Sequence, residues 1–240
     1  MSTAPNKDPA RIARMFDAIS PRYDLLNHLL SAGLDRRWRA RAIRALELTG
    51  HEHVLDLCTG TADLAIAATT ARGGQAARVT GVDFAGAMLG LGLRKTRRRG
   101  LDGRIALVRG DATAIPLPDA SADAATMAFG IRNVEAPQRA AAELRRVLRP
   151  GGRLAILEFG VPSLPGVRQL YLWYFRRLLP AIGGLISRHG DAYAYLPESV
   201  GAFPEPEAFR TLLAGAGFSG ITARPLTFGI VYLYLATRPA

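Results

Sequence analysis

The apolar positions along the chain follow two rhythms. Residues 8–48 read as helical, with Met15, Phe16, Ile19, Tyr23, Leu25, Leu26, Leu29, Leu30 and Leu34 spaced among polar neighbours and Ser20-Pro21 expected to interrupt the run. From His53 the pattern becomes short apolar runs separated by helical segments. Strands are predicted at His53–Leu57, Arg78–Val82, Ile105–Arg109, Ala124–Phe129 and Arg153–Phe159. Helices are predicted at Asp63–Ala71, at Ala85–Arg99 despite Gly86, Gly90 and Gly92, and at Pro137–Leu148, stopped by Pro150-Gly151-Gly152.

This alternation predicts an α/β fold, a mostly parallel sheet with helices on both faces. Regularity breaks over 160–204, which is aromatic and rich in Arg, Gly and Pro. It resumes with a helix at Glu207–Ala216 closed by Gly217, then strands near Ile221–Arg224 and Ile230–Ala236, close enough to form an antiparallel hairpin. The expected organisation is one domain, 1–240. Residues 1–48 form a helical cover, 49–159 a core, 160–204 an insertion over the ligand crevice, and 205–240 a closing helix and strands.

Composition narrows the chemistry. The 240 residues suffice for a sizeable core. The single cysteine, Cys58, permits no intrachain disulfide, which suits a reducing compartment. Cys58 and the four histidines, His28, His51, His53 and His189, make no zinc-type ligand spacing, so no metal is expected. No apolar run approaches the ~20 residues of a membrane span, and the N-terminus lacks the apolar stretch of a signal peptide. The net charge is +11 with only two lysines, Lys7 and Lys95. The arginine excess reflects either coding bias or attraction to an anionic surface, nucleic acid or lipid.

Three aspartates fall where ligands bind in such sheets, beyond the carboxyl ends of strands. Asp56 ends the first strand in VLDLCTGTAD (54–63), and Gly60 then lets backbone approach a ligand closely. The turn lacks the GxGxxG of dinucleotide sites. Asp83 ends the second strand in GVDF (81–84), 23 residues beyond Gly60, where a carboxylate can accept ribose hydroxyls or cap the following helix. Asp111, after the third strand, is either an acceptor for an adenine amino group or a solvated loop aspartate.

In this order and spacing, and with LRPGGRLAILE (148–158), residues 50–160 resemble the class I S-adenosylmethionine methyltransferases. Further stretches resemble a narrower family, the ubiquinone/menaquinone biosynthesis C-methyltransferases. They are FDAISPRYDLLNHLLSAGLDRRWR (16–39), FGIRNV (129–134), EFGVPS (158–163), YLPESV (195–200) and LTFGI (226–230). The resemblance implies a Rossmann-like methyltransferase fold and S-adenosyl-L-methionine as cofactor. Asp56, Gly60, Thr61, Asp83, Phe84, Asp111 and Ala112 form the implied cofactor site. Thr59, Ala128 and Tyr234 depart from the family pattern, which often has Gly or Cys, Ser, and His there.

The implied reaction is C-methylation of a polyprenylated quinol, demethylmenaquinol to menaquinol. The alternative acceptor is 2-methoxy-6-polyprenyl-1,4-benzoquinol; an RNA or another small molecule is the remoter reading. Ring carbon is a poor nucleophile unless its phenol is partly ionised, so the acceptor should be reduced. Arg132 is the first catalytic candidate, to stabilise a phenolate or to pair with Glu135 or Glu158. Asn133 could bond a quinol oxygen or cap a turn. Tyr23, with Asp24, is next if the N-terminal helices fold over the crevice, and His189 and Tyr193 lie in the insertion. A greasy acceptor tail implies peripheral contact with anionic membrane at the cytoplasmic face. Residues 166–188, with Trp173 and Tyr174, form a candidate interfacial segment helped by Arg94–Arg99. No nucleic acid is expected as partner, and homo-oligomerisation is left open.

Overall fold

The computed structural model describes residues 7–71, 75–174, 177 and 190–240, the last stretch without the side chains of 190–194. His189 therefore lies outside the described residues, as does the side chain of Tyr193, and most of the candidate interfacial segment beyond Tyr174.

Helix α1 spans Pro9–Leu30 and α2 spans Leu34–Ala45. Asp8 caps α1 by accepting the Arg11 N–H at 2.8 Å, with Pro9 in the first turn, where its missing N–H is harmless. The expected break at Ser20-Pro21 does not occur, and Pro21 sits inside one continuous helix. The reason is local. Pro21 deprives the Asp17 carbonyl of its helical donor. The Ser20 hydroxyl supplies a replacement at 2.8 Å. α1 ends where Gly33, at φ +74°, returns its N–H to the His28 carbonyl at 2.8 Å.

The core runs β1 (His53–Leu57), α3 (Asp63–Thr70), β2 (Arg78–Asp83), α4 (Gly86–Arg98), β3 (Ile105–Arg109), β4 (Ala122–Ala128), α5 (Pro137–Val147) and β5 (Leu148–Phe159). β5 begins five residues earlier than expected and runs through Pro150-Gly151-Gly152. Leu148 still pairs with Ala122, and an irregularity between Ala122 and Ala124 absorbs the offset. Among the described residues, the irregular stretch after β5 holds α6 (Pro165–Trp173), within the candidate interfacial segment, and α7 (Gly190–Gly201), which the periodicity did not reveal. Then come α8 (Pro206–Gly215), β6 (Ser219–Leu226) and β7 (Val231–Thr237).

The seven strands take the order β3-β2-β1-β4-β5-β7-β6. β7 is antiparallel to β5 and β6, as the hairpin expectation had it, and the other neighbours are parallel. Side chains alternate across the sheet. Val54 and Val79 join Trp38, Ile43 and Leu64 on one face. Leu55 and Leu57 join Leu144, Val147 and Phe209 on the other. Tyr234 belongs to that second core, against Phe209, and not to any ligand site. Strand order reverses between β1 and β4, so the carboxyl ends of these strands open the crevice in which this architecture binds ligands.

Candidate active site

The turn after β1 is tightly wound. Cys58, Gly60 and Ala62 take φ of +55°, +55° and +66°, and for two non-glycine residues this is strained backbone. Asp56 holds it in place. One carboxylate oxygen accepts the Thr59 hydroxyl at 2.6 Å and the other the Thr126 hydroxyl at 2.7 Å. Burial pushes its pKa up to about 6 against those two bonds. Asp56 lies beneath the crevice and lines neither cavity described below.

Asp83 joins this turn to the next. Its oxygens accept the N–H groups of Gly60 at 2.8 Å and Ala85 at 2.9 Å. Burial raises its pKa, and the same N–H groups oppose the rise. A cavity of about 160 Å³ opens here, lined by Gly60, Asp83, Phe84, Met88, Asp111 and Ala112 on one side and by Ala128, Gly130 and Asn133 on the other. Asp111 is exposed, and one oxygen already accepts the Thr113 N–H and hydroxyl.

Thr61 is placed differently. Its hydroxyl donates to Asp24 at 2.5 Å and meets the Lys95 ammonium at 3.0 Å, and it is not part of that wall. Lys95 also pairs with Asp24 at 2.7 Å and Asp63 at 2.5 Å. Its charge is committed inside the protein, bolting α1 to α3 and α4. His28, Asp35 and Asp63 bring ligand-type atoms within 4.8 Å of one another, a grouping that the histidine and cysteine spacing did not suggest. Arg39 already contacts both carboxylates. Burial raises the Asp35 pKa less than His28, Arg39 and Ser31 lower it.

A second cavity, about 440 Å³, adjoins the first, and Phe16, Tyr23 and Phe129 line both. Its walls come from α1, α2, the turn after β4, the end of β5, α6, α7 and Ile230, and they are predominantly apolar. The exceptions include Tyr23, Asp35, Arg39, Arg132, Tyr171 and Tyr195. Burial raises the Tyr23 hydroxyl, while Asn27, Arg132 and Arg39 pull it down.

Arg132 and Asn133 sit in a 3-10 turn, Ile131–Asn133, directly after β4. Arg132 donates to the fully buried Glu158 at 2.8 Å and to the Phe129 carbonyl, and its guanidinium lies 5.3 Å from the centre of the Phe159 ring. Of the two partners considered for it, Glu158 is the one found. Among the described residues its Nε has no partner, nor has Asn133 Oδ1. Such orphans are costly unless a ligand or water meets them.

The structure thus brings Gly60, Asp83, Phe84, Asp111 and Ala112 together around one cavity and Arg132 and Tyr23 around its neighbour, while Asn133, expected beside Arg132 at the acceptor, lines the first. Sequence reasoning missed Trp38, Arg39, Tyr171 and Tyr195. The LDRRWR and YLPESV motifs contain three of these, so the signal was present without a geometry.

Known proteins share this sequence and this fold. The sequence model of the ubiE/COQ5 methyltransferase family matches residues 4–238. A demethylmenaquinone methyltransferase of Thermus thermophilus is 48% identical over 225 residues, covering 94% of this chain and 100% of that protein. The ubiquinone/menaquinone biosynthesis C-methyltransferase UbiE of Geobacter sulfurreducens is 45% identical, covering 95% and 88%. Among solved structures, the [4+2]-cyclase SpnF superposes with a TM-score of 0.73 at 18% identity, covering 99% of this chain and 98% of that one. That likeness concerns the fold alone.

Proposed function

The chain belongs to the ubiE/COQ5 methyltransferase family, and from that premise we propose that its smaller cavity holds S-adenosylmethionine and its larger one a reduced, polyprenylated quinol that is methylated on ring carbon. The family uses this cofactor, and the residues present fit it. Asp83 offers a buried carboxylate at the end of β2, as ribose hydroxyls require. Gly60 leaves open backbone beside it, the nearest atom to an added Cβ being Met88 Cε at 3.6 Å. Asp111 and Ala112 continue the wall toward where a base would lie. S-adenosylmethionine supplies a sulfonium-activated methyl group, so no metal is required.

The protein's own work is to align the acceptor carbon, exclude water and favour the phenolate. Arg132 is placed for the last task. Its charge is held at the junction of the two cavities by Glu158, and its free Nε can donate to a developing oxyanion. Apolar walls around it strengthen that interaction. Asn133, on the cofactor side of the same turn, orients the same oxygen. Tyr23, reaching both cavities from α1, closes the junction.

The single observation that carries this reading is the apolar 440 Å³ cavity abutting the aspartate-lined one, with Arg132 in the wall of the first and its neighbour Asn133 in the wall of the second. Such a volume suits a flat ring with a hydrocarbon tail and offers no stacking groove for a charged polymer. The elements walling it also present large exposed apolar side chains: Leu25 and Leu29 on α1, and Leu170 and Trp173 on α6. Tyr174 turns inward instead, donating to the Leu30 carbonyl at 2.9 Å. None of the described helices is long and apolar enough to cross a membrane. This fits a protein that meets its acceptor at the surface of an anionic bilayer on the cytoplasmic side, with the +11 charge assisting.

The relatives' names span both quinone branches, and menaquinone stands in all of them, which supports demethylmenaquinol as the acceptor. The test is transfer from methyl-labelled S-adenosylmethionine to two short-tailed, reduced acceptors, a demethylmenaquinol and a methoxy-polyprenyl-benzoquinol. Label in the naphthoquinol alone is the expected result. Label in the benzoquinol alone reassigns the branch.

A further inference from the structure

The YLPESV segment plays no part in the chemistry above, yet its first residue is buried in the larger cavity. Tyr195, on α7, is only 4% exposed and lines that space. Among the described residues its hydroxyl has no hydrogen-bond partner. Around it the wall is apolar, with Phe159, Leu196 and Ile230. A buried hydroxyl in such surroundings is expensive to leave unpaired. The same cavity holds a second buried donor without a partner, Arg132 Nε. Beside the other polar groups of its wall, the chamber therefore presents two buried donors left open among the described residues, which suits a flat apolar body carrying an oxygen at each of two positions.

The two contacts are not equivalent. Arg132 is followed directly by Asn133, which lines the cofactor cavity, whereas Tyr195 touches only the larger one. The oxygen beside the reacting carbon thus falls to Arg132, and the far oxygen is left for Tyr195.

We propose that the Tyr195 hydroxyl hydrogen-bonds the quinol oxygen remote from the carbon that is methylated, and so fixes which ring carbon faces the methyl donor. This rests on the quinol reading given above. In a 2-polyprenyl-1,4-quinol the acceptor carbon is ortho to one oxygen and meta to the other. Only the ortho oxygen feeds electrons to it. A contact with the meta oxygen therefore acts on orientation and not on nucleophilicity. Burial raises the pKa of the Tyr195 hydroxyl, with the Arg132 charge pulling the other way, so it remains a neutral donor at ordinary pH.

The test pairs Tyr195→Phe with two reduced acceptors. One is the short-tailed demethylmenaquinol. The other is the matching 3-prenyl-1-naphthol, which keeps the hydroxyl ortho to the acceptor carbon and lacks the remote one. On the quinol, kcat/KM should fall about 10- to 100-fold in the variant. On the naphthol, variant and wild type should agree within about threefold, the non-additivity expected of two groups that touch. Quenching of Trp38 fluorescence, from the cavity wall, should report the same pattern in binding without turnover. The ligand-free variant should melt no lower than wild type, because the oxygen removed has no partner among the described residues. Equal losses on both acceptors, no loss on the quinol, or a melting temperature lowered by several degrees would each overturn the assignment. Wild-type protein that binds cofactor but labels neither acceptor would instead overturn the quinol reading itself.

Discussion

The two adjoining cavities are built on opposite principles. The smaller one is built mostly on turns: most of its wall comes from segments at or just past the carboxyl ends of β1 to β4, with Asp83 fixing the Gly60 and Ala85 N–H groups that shape it. The larger one is made of side chains carried by helices that lie outside the regular α/β alternation. Turn geometry follows from a few neighbouring residues. A wall assembled from seven separate segments follows only from how those segments pack.

If the cavities are functionally distinct, damage to one should leave the other intact. The largest expected effect is on the smaller cavity. Asp83→Ala removes the ribose acceptor and frees the Gly60 and Ala85 N–H groups that shape the wall. Cofactor affinity, measured calorimetrically, should weaken at least about 100-fold, two charge-assisted bonds being worth roughly 3 kcal/mol. Arg132→Lys is the counterpart on the other side. It keeps a cation near Glu158, so the buried carboxylate is not stranded, but it lacks the fork. Turnover should fall about 30- to 100-fold, with cofactor affinity within twofold of wild type. Loss of cofactor binding in Arg132→Lys would mean the cavities are one site.

Two further predictions concern the scaffold, where neither cavity should respond. Glu52, at the opposite end of the sheet, accepts the N–H groups of Thr49, Gly50 and His51 and the Thr49 hydroxyl. Burial would raise its pKa, but these donors prevail and hold it at about 2. Since the folded pKa lies below the ordinary 4.5, its stabilisation is complete above about pH 4.5 and is lost as pH falls through about 2. Glu52→Gln should thus cost about 2 kcal/mol at pH 7, allowing for solvent screening, and nothing near pH 2, as read from urea midpoints. The smallest effect is expected for Ser20→Ala, which leaves the Asp17 carbonyl without its substitute donor. About 1 kcal/mol should be lost, seen as faster amide exchange in α1.

The legibility of the sequence follows the same line. Gly60, Asp83 and Asp111 were readable as neighbours in space because each lies at or just past the carboxyl end of a strand, a relation spanning only a few residues, whereas Asp56 supports the turn from beneath and lines neither cavity. Pro21 misled because a proline ordinarily ends a helix, and only the Ser20–Asp17 bond explains why this one does not. The family resemblance implied Thr61 as a cofactor contact, yet Asp24, 37 positions away in sequence, claims its hydroxyl. Arg94–Arg99 read as a basic strip, whereas Lys95 at its centre faces three oxygen partners. α7 escaped notice because Tyr195 and Leu196 serve a cavity instead of a continuous core stripe.

The central claim is that the larger cavity presents a reduced ring, not an oxidised one, to the cofactor beside it. The most direct measurement is single-turnover methyl transfer at saturating S-adenosylmethionine, with demethylmenaquinol kept reduced in one reaction and oxidised to the quinone in the other. Transfer to the quinol alone, with cofactor bound equally in both, is the predicted result. Equal transfer to the quinone, or none to either ring while cofactor is bound, would contradict the account.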